Sequence, residues 1–265
     1  MPPPSLSARL RLTRVGLHLV YGGVQVALLF PFVGLRGRDR LKQRWSRSLL
    51  AILRIRIDPP DHALDRLGGG LLVANHVSFM DIFVINALLP SGFVAKSDVS
   101  GWPLIGWLSR RNETVFIERG KRKAAHLTQE RMLAVLAGGR RLVVFPEGTT
   151  TAGAEVLPFH GALFQSAIDA AVPVHALAIQ YVDAQGRPSA APAYIGELSV
   201  ADCLRNILAS GGLRVTLHLA ESFLPPLPDR RHLAHRAHQA IAASLRRHPG
   251  DELSQPCRNA TAISP

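Results

Sequence analysis

Three short apolar runs in this chain break abruptly into polar residues, and no other feature narrows the possible folds as far. Leu71-Leu72-Val73-Ala74 runs into Asn75-His76-Val77-Ser78-Phe79-Met80-Asp81, and Thr114-Val115-Phe116-Ile117 into Glu118-Arg119-Gly120. Arg141-Leu142-Val143-Val144-Phe145 runs into Pro146-Glu147-Gly148-Thr149-Thr150. Apolar, β-branched and aromatic runs bounded by polar and turn residues read as strands. Open α/β sheets build their sites just past strand ends of this kind. Further strands are expected at 53–57, where period-two alternation ends at Asp58-Pro59-Pro60, and at 93–95, 174–179 and 214–219. Helices are expected at 81–88, 121–137, 163–171 and 229–247. This alternation predicts an α/β fold, a mixed sheet flanked by helices. It divides the chain into an N-terminal helical segment (1–50), an α/β domain (51–249) and a disordered tail (250–265).

His76 and Asp81 stand five apart. On one continuous helix that spacing separates them by about 140° around the axis, so one of them must lie outside the helix. Ser78-x-x-Asp81 is a helix-start pattern, with Ser78 as the expected N-cap and Asp81 in the first turn. His76 then occupies the preceding loop and can fold back toward Asp81. A carboxylate there would accept the Nδ1 proton and leave Nε2 to remove a proton from a hydroxyl. By spacing alone, the plainer alternative of a capping Asp81 and an ordinary loop histidine stays open.

Taken together, the motifs resemble those of the glycerolipid acyltransferase superfamily. Its N-H-x4-D motif is matched by Asn75, His76 and Asp81, its F-I-D-R by Phe116 to Arg119, and its F-P-E-G-T by Phe145 to Thr149. Its apolar-proline motif is matched by Val172-Pro173-Val174. Lys96, with Pro103 and Gly106, resembles the segment between the first two motifs, and Pro158-Phe159-His160-Gly161 the one after the third. The resemblance extends over about residues 45–225 and implies the glycerolipid acyltransferase fold. Glu118 stands where the family usually has Asp, and Thr150 where many members have Arg. The second departure removes a guanidinium suited to bidentate phosphate recognition.

The resemblance implies acyl transfer from a thioester to a lysolipid hydroxyl, most simply 1-acyl-glycerol-3-phosphate, with a lyso-ornithine lipid as the alternative acceptor. His76 and Asp81 would be catalytic. Lys96, Phe116, Glu118, Arg119, Glu147, Gly148 and Thr149 would line the substrate site, with Arg119 holding an anionic headgroup. The resemblance implies neither metal nor cofactor, and acyl-CoA or acyl-acyl carrier protein as co-substrate. A thioester is already activated, so no enzyme nucleophile is needed. A hydrolase using the same pair to activate water is a rival, although the chain has no Gly-x-Ser-x-Gly elbow. A non-catalytic membrane-binding protein is another, but it has no use for three polar-tipped strands.

A formal charge of +12 points to an acidic partner. No nucleic-acid fingerprint is present, and the two cysteines, Cys203 and Cys257, are too few for a zinc finger or a disulfide framework. From Val15 to Leu35 the chain carries no formal charge, a length sufficient to cross a bilayer core, although Gly22, Gly23 and Pro31 interrupt it. Arg36, Arg38, Arg40, Lys42, Arg44 and Arg47 follow, beside Leu41, Trp45, Leu49 and Leu50, the composition of an interfacial helix on anionic lipid. The expectation is a two-helix membrane motif, spanning or half-embedded, on the cytoplasmic face of the inner membrane.

Overall fold

The computed structural model describes residues 6–59, 61–101, 105–117 and 122–246. Seven strands form one sheet: β1 (Ile55–Ile57), β2 (Gly70–Ala74), β3 (Gly92–Lys96), β4 (Val115–Ile117), β5 (Arg141–Val144), β6 (Val174–Val182) and β7 (Leu213–Phe223). Their order is β1-β7-β6-β2-β5-β3-β4, and only β6 and β7 pair antiparallel. Strands β2 to β6 therefore run the same way, and their carboxyl ends emerge along a single edge.

Both faces of the central strands are buried, which is why they read as continuous apolar runs. In β2, Leu72 and Ala74 enter one core with Val143 of β5 and Leu177 and Ile179 of β6. Leu71 and Val73 point the other way, with Leu142, Val144, Val174 and Ala176. The first face is covered by α2 (Leu35–Ile52), α3 (Met80–Leu88) and α7 (Val200–Ala209) through Leu49, Leu50, Val84, Ile85, Cys203 and Ile207. The second is covered by α5 (Arg122–Ala137), α6 (Gln165–Asp169) and α8 (Arg230–Arg246) through Met132, Leu136, Ala167, Leu233 and Ala237. Each fully buried Leu or Val contributes about 1.5–3 kcal/mol.

The edges of the elements shift from expectation where tertiary pairing decides them. Leu53 and Arg54 turn out of α2, Arg54 in the left-handed region at φ 57°, so β1 begins at Ile55. Strands β6 and β7 run on to Val182 and Phe223 because each supplies the other's hydrogen bonds. The helix expected at 163–171 divides into a 3-10 turn, Gly161–Phe164, and the short α6. Two helices were not anticipated, α4 (Ile105–Arg111) and α7. The start of α7 carries a visible signal, since Ser199 and Asp202 form a reciprocal capping box.

The N-terminal segment departs most from a membrane span. Helix α1 (Leu6–Leu28) begins among Arg9, Arg11 and Arg14, and the uncharged stretch breaks after Leu28 into turns before α2. Among the described residues no helix is long and apolar enough to cross a membrane. Instead α1 is two-sided. Val15, Gly22 and Val26 are buried, whereas Leu6, Leu10, Leu17, Val20, Tyr21, Val24 and Leu28 are exposed. At 100° per residue those seven lie within about a 100° arc.

Helices α1 and α2 are locked together. Trp45 Nε1 donates to the His18 carbonyl at 3.0 Å, His18 Nε2 donates to the Trp45 carbonyl at 2.9 Å, and the two rings stack. A Cβ on Gly22 would stand 2.5 Å from Trp45 Nε1, so only glycine permits this approach. The basic residues of α2 are not all free for lipid. Arg38 donates to the Phe30 and Val33 carbonyls, Lys42 to the Ser91 carbonyl beyond α3, and Arg47 to the Ala87 carbonyl in the last turn of α3, where a cation complements the negative end of the helix dipole. Burial lowers the Lys42 pKa despite nearby Asp39. Arg36, Arg40 and Arg44 remain exposed. Helix α2 passes through residue 50, and its Leu49 and Leu50 belong to the core of the sheet. Residues 250–265 lie outside the described residues.

Candidate active site

After β2 the chain crosses to α3 on one face of the sheet, and after the neighbouring β5 it crosses to α6 on the other. Two adjacent parallel strands whose connections diverge leave a crevice at their carboxyl ends. The loops of residues 75–79 and 145–160 line it.

Asn75 fixes the end of β2. Its buried amide donates to the Ile179 carbonyl at 3.0 Å and accepts the Ile179 N–H at 2.8 Å. His76 follows, and its Nδ1–H donates to Asp81 Oδ2 at 2.9 Å. The same oxygen accepts the N–H groups of Val77 (2.8 Å) and Ser78 (3.0 Å), while Oδ1 accepts the Tyr181 hydroxyl at 2.8 Å. Asp81 is 0% exposed, so these donors replace its solvation. With Nδ1 protonated, the Nε2 lone pair of His76 is available, and the side chain keeps 19% exposure, enough to meet a substrate.

The local helix start differs from the sequence reading. Asp81 does lie in the first turn of α3, but the cap position is Phe79, not Ser78. The Asp81 carboxylate folds back onto the Val77 and Ser78 amides, and Ser78 Oγ accepts the Met80 N–H at 3.2 Å. The carboxylate is thus shared between loop and histidine.

Glu147 ties the two loops. One oxygen accepts the His76 N–H at 2.7 Å, the other the Leu157 N–H at 2.8 Å, and the residue is buried. Burial raises its pKa, opposed by these two hydrogen bonds. Gly148 takes a left-handed φ of 69° in the turn that closes on the Phe145 carbonyl. The Phe145 ring stacks on His76 at 3.9 Å between centroids and holds the imidazole plane. Thr149 is exposed at the rim. Thr150 donates its hydroxyl to the Tyr194 carbonyl, and the Tyr194 N–H donates to the Val77 carbonyl, so the segment before α7 closes a third side.

Lys96 ends β3 and is exposed, and Phe116 in β4 is partly buried beside it, paired through Ala95. Both lie at the active-site edge, but β5 separates β3 from β2. Glu118 and Arg119 fall outside the described residues. Sequence reasoning missed Tyr181 and Tyr194. Tyr181 had a signal: it continues the alternation of Leu177 and Ile179, and a buried phenol requires a partner. Tyr194 lies in an irregular segment without periodicity.

The family model of the acyltransferases matches residues 56–180. Lyso-ornithine lipid O-acyltransferase of Pseudomonas aeruginosa is 38% identical over 216 residues, 78% of this chain and 79% of that protein. The 1-acyl-sn-glycerol-3-phosphate acyltransferase of Neisseria meningitidis is 36% identical over 178 residues, 67% of this chain and 69% of its own length. In fold the chain is similar to the crystal structure of the 1-acyl-sn-glycerophosphate acyltransferase PlsC from Thermotoga maritima, with a TM-score of 0.60 at 18% identity, covering 95% of this chain and 100% of that one. With His76, Asp81 and Glu147 at the carboxyl edge of such a sheet, and relatives more than a third identical over the aligned residues, the chain belongs to the glycerolipid acyltransferase superfamily.

Proposed function

We propose that this enzyme transfers a fatty acyl group from a thioester, acyl-CoA or acyl-acyl carrier protein, to the free hydroxyl of a lysolipid, with His76 as general base. The observation that carries this reading is the 2.9 Å bond from His76 Nδ1 to the buried Asp81 carboxylate. Nε2 removes the hydroxyl proton as that oxygen attacks the thioester carbonyl, forming the C–O bond. The tetrahedral intermediate then expels the thiolate, which takes the proton from the imidazolium. Asp81 holds the tautomer and stabilises the transient charge. Lys96 supplies a cation for an anionic headgroup or the acidic donor with Phe116 beside it, Gly148 and Thr149 offer polar groups at the rim, and the motif assigns Glu118 and Arg119 to substrate binding as well. Glu147 holds the loops in register.

The exposed apolar face of α1, together with Phe32 at 87% exposure and the exposed arginines of α2, fits a helix pair lying in one leaflet. It supports a reading in which the enzyme works at the surface of a membrane, where lysolipids reside.

The main acceptor reading is 1-acyl-glycerol-3-phosphate. A specific observation favours a second one, lyso-ornithine lipid: Thr150 replaces a guanidinium, and its hydroxyl is engaged by the Tyr194 carbonyl, leaving less positive charge for a phosphomonoester. The test is a competition assay on vesicles holding both acceptors, with a purified acyl thioester, for wild type and Thr150→Arg. Hydrolysis without transfer would overturn the acyltransferase reading. Preference for the phosphate acceptor that Thr150→Arg leaves unchanged would remove the ground for the second acceptor.

A further inference from the structure

Tyr181 stands 100 residues from Asp81 in the chain, yet its hydroxyl donates to Asp81 Oδ1 at 2.8 Å. The ring is 3% exposed and packs in the core beneath the crevice with Ile179 and Cys203. Two residues earlier, the backbone of Ile179 is clamped by both ends of the Asn75 amide, so β6 presents Tyr181 to the His76 loop at a fixed height. The two oxygens of Asp81 are thereby given different work. Oδ2 collects the His76 ring proton and two loop amides, and Oδ1 takes the phenol.

We infer that Tyr181 is a positioning residue for the transfer reaction, holding Asp81 in the rotamer that orients His76 and moderating the charge that the carboxylate presents to it. The inference rests on the reading of His76 as general base. Burial and the adjacent carboxylate raise the Tyr181 pKa, so its O–H remains a donor. Four titratable groups face this cluster from the surrounding elements: His76 from the loop after β2, Asp81 from α3, Glu147 from the loop after β5 and Cys203 from α7. Cys203 donates to the Pro192 carbonyl at 3.2 Å, and burial raises its pKa, which keeps it a neutral thiol. Glu147 has both oxygens on backbone amides. Asp81 is therefore the charge on which Tyr181 acts.

A donor on a carboxylate draws off negative charge and so weakens its hold on a neighbouring imidazolium. Without the phenol, His76 becomes more basic and is lost to protonation at a higher pH. The experiment uses the full chain in phospholipid vesicles, following thiol release from palmitoyl-CoA with 1-acyl-glycerol-3-phosphate and lyso-ornithine lipid as parallel acceptors. Wild type, Tyr181→Phe and a protein with 3-fluorotyrosine in place of Tyr181, an isosteric and stronger donor, form a graded series. Tyr181→Phe is expected to lower kcat roughly tenfold, the loss of one hydrogen bond to an ionised group, with KM within about twofold. The acid limb of kcat/KM should move to higher pH in Tyr181→Phe and to lower pH with 3-fluorotyrosine. If Tyr181→Phe does not fold, the fluorinated protein alone carries the comparison. Coincident acid limbs, with His76→Ala inactive, would overturn the role of Tyr181 and leave the base intact. Turnover by His76→Ala at the wild-type rate would overturn both.

Discussion

Replacing Glu147 with glutamine tests whether this carboxylate holds the site together or meets a ligand. Its oxygens stand 2.7 Å from the His76 N–H and 2.8 Å from the Leu157 N–H. Glutamine keeps one carbonyl acceptor and sets its NH2 group against the second amide, a donor facing a donor. The lost bond was to an ionised group, and the N–H of a half-buried residue loses its acceptor, for a cost of about 1.5–3 kcal/mol. Working the other way, burial raises the Glu147 pKa, so removing the charge returns part of the desolvation penalty. The lost bond should win, because the amide it leaves faces the buried Glu147 side chain and now meets a donor in place of an acceptor. The net loss should be about 2 kcal/mol, or roughly 4–8 °C in Tm for a chain of this size. Because the His76 amide is one of the two, freeing the loop should also reduce kcat by roughly 10- to 100-fold through misplacement of the imidazole. Thermal melts in detergent and thioester turnover would be read on the same preparation. A Glu147→Gln protein with wild-type Tm but a raised KM for the acceptor would refute this reasoning and return the carboxylate to the substrate.

His76→Ala and Asp81→Asn should both fold, by circular dichroism, and lose transfer by a factor of about 100 to 10,000, His76→Ala more completely. Near-normal turnover by folded His76→Ala would sink the dyad. Leu17→Glu with Val24→Glu alters only the exposed face of α1, and each lost apolar contact with lipid is worth about 1.5–3 kcal/mol, so vesicle binding in sedimentation assays should fall by at least roughly 100-fold. Unchanged sedimentation would argue against the helix pair as the membrane contact. His175, buried in β6 and bonded to Ser222 Oγ at 2.8 Å, has its pKa lowered by burial and by Arg141. The folded state therefore resists its protonation, and the stability it contributes is present above the unfolded value of 6.5 and lost as pH falls below it. Urea midpoints compared at about pH 7.5 and 5.5 should drop more for wild type than for His175→Gln, and equal drops would exclude His175 as the source.

What the sequence determined by itself is local. Apolar runs such as 71–74 and 141–145 hold their strand character because both faces are buried, and the 3.6-residue pattern of 122–137 and 230–246 marks helices. The contact between His76 and Asp81 is also legible, since five residues and one helix start bring them together. The order of the strands is not, because β5 inserts between β2 and β3 through pairings that no nearby residue announces. For the same reason the supports of the dyad were hidden: Glu147 reaches the His76 amide across 71 residues and Tyr181 reaches Asp81 across 100. The N-terminal helices show the same division. Their composition reads as a membrane motif, spanning or half-embedded; Gly22 against Trp45 and the Arg38 bonds lock the two helices together, the Lys42 and Arg47 bonds hold them to the domain, and a single apolar face is left outward. Periodicity reports which side of an element is buried, whereas the identity of what buries it depends on chain topology, and only the tertiary structure decides that.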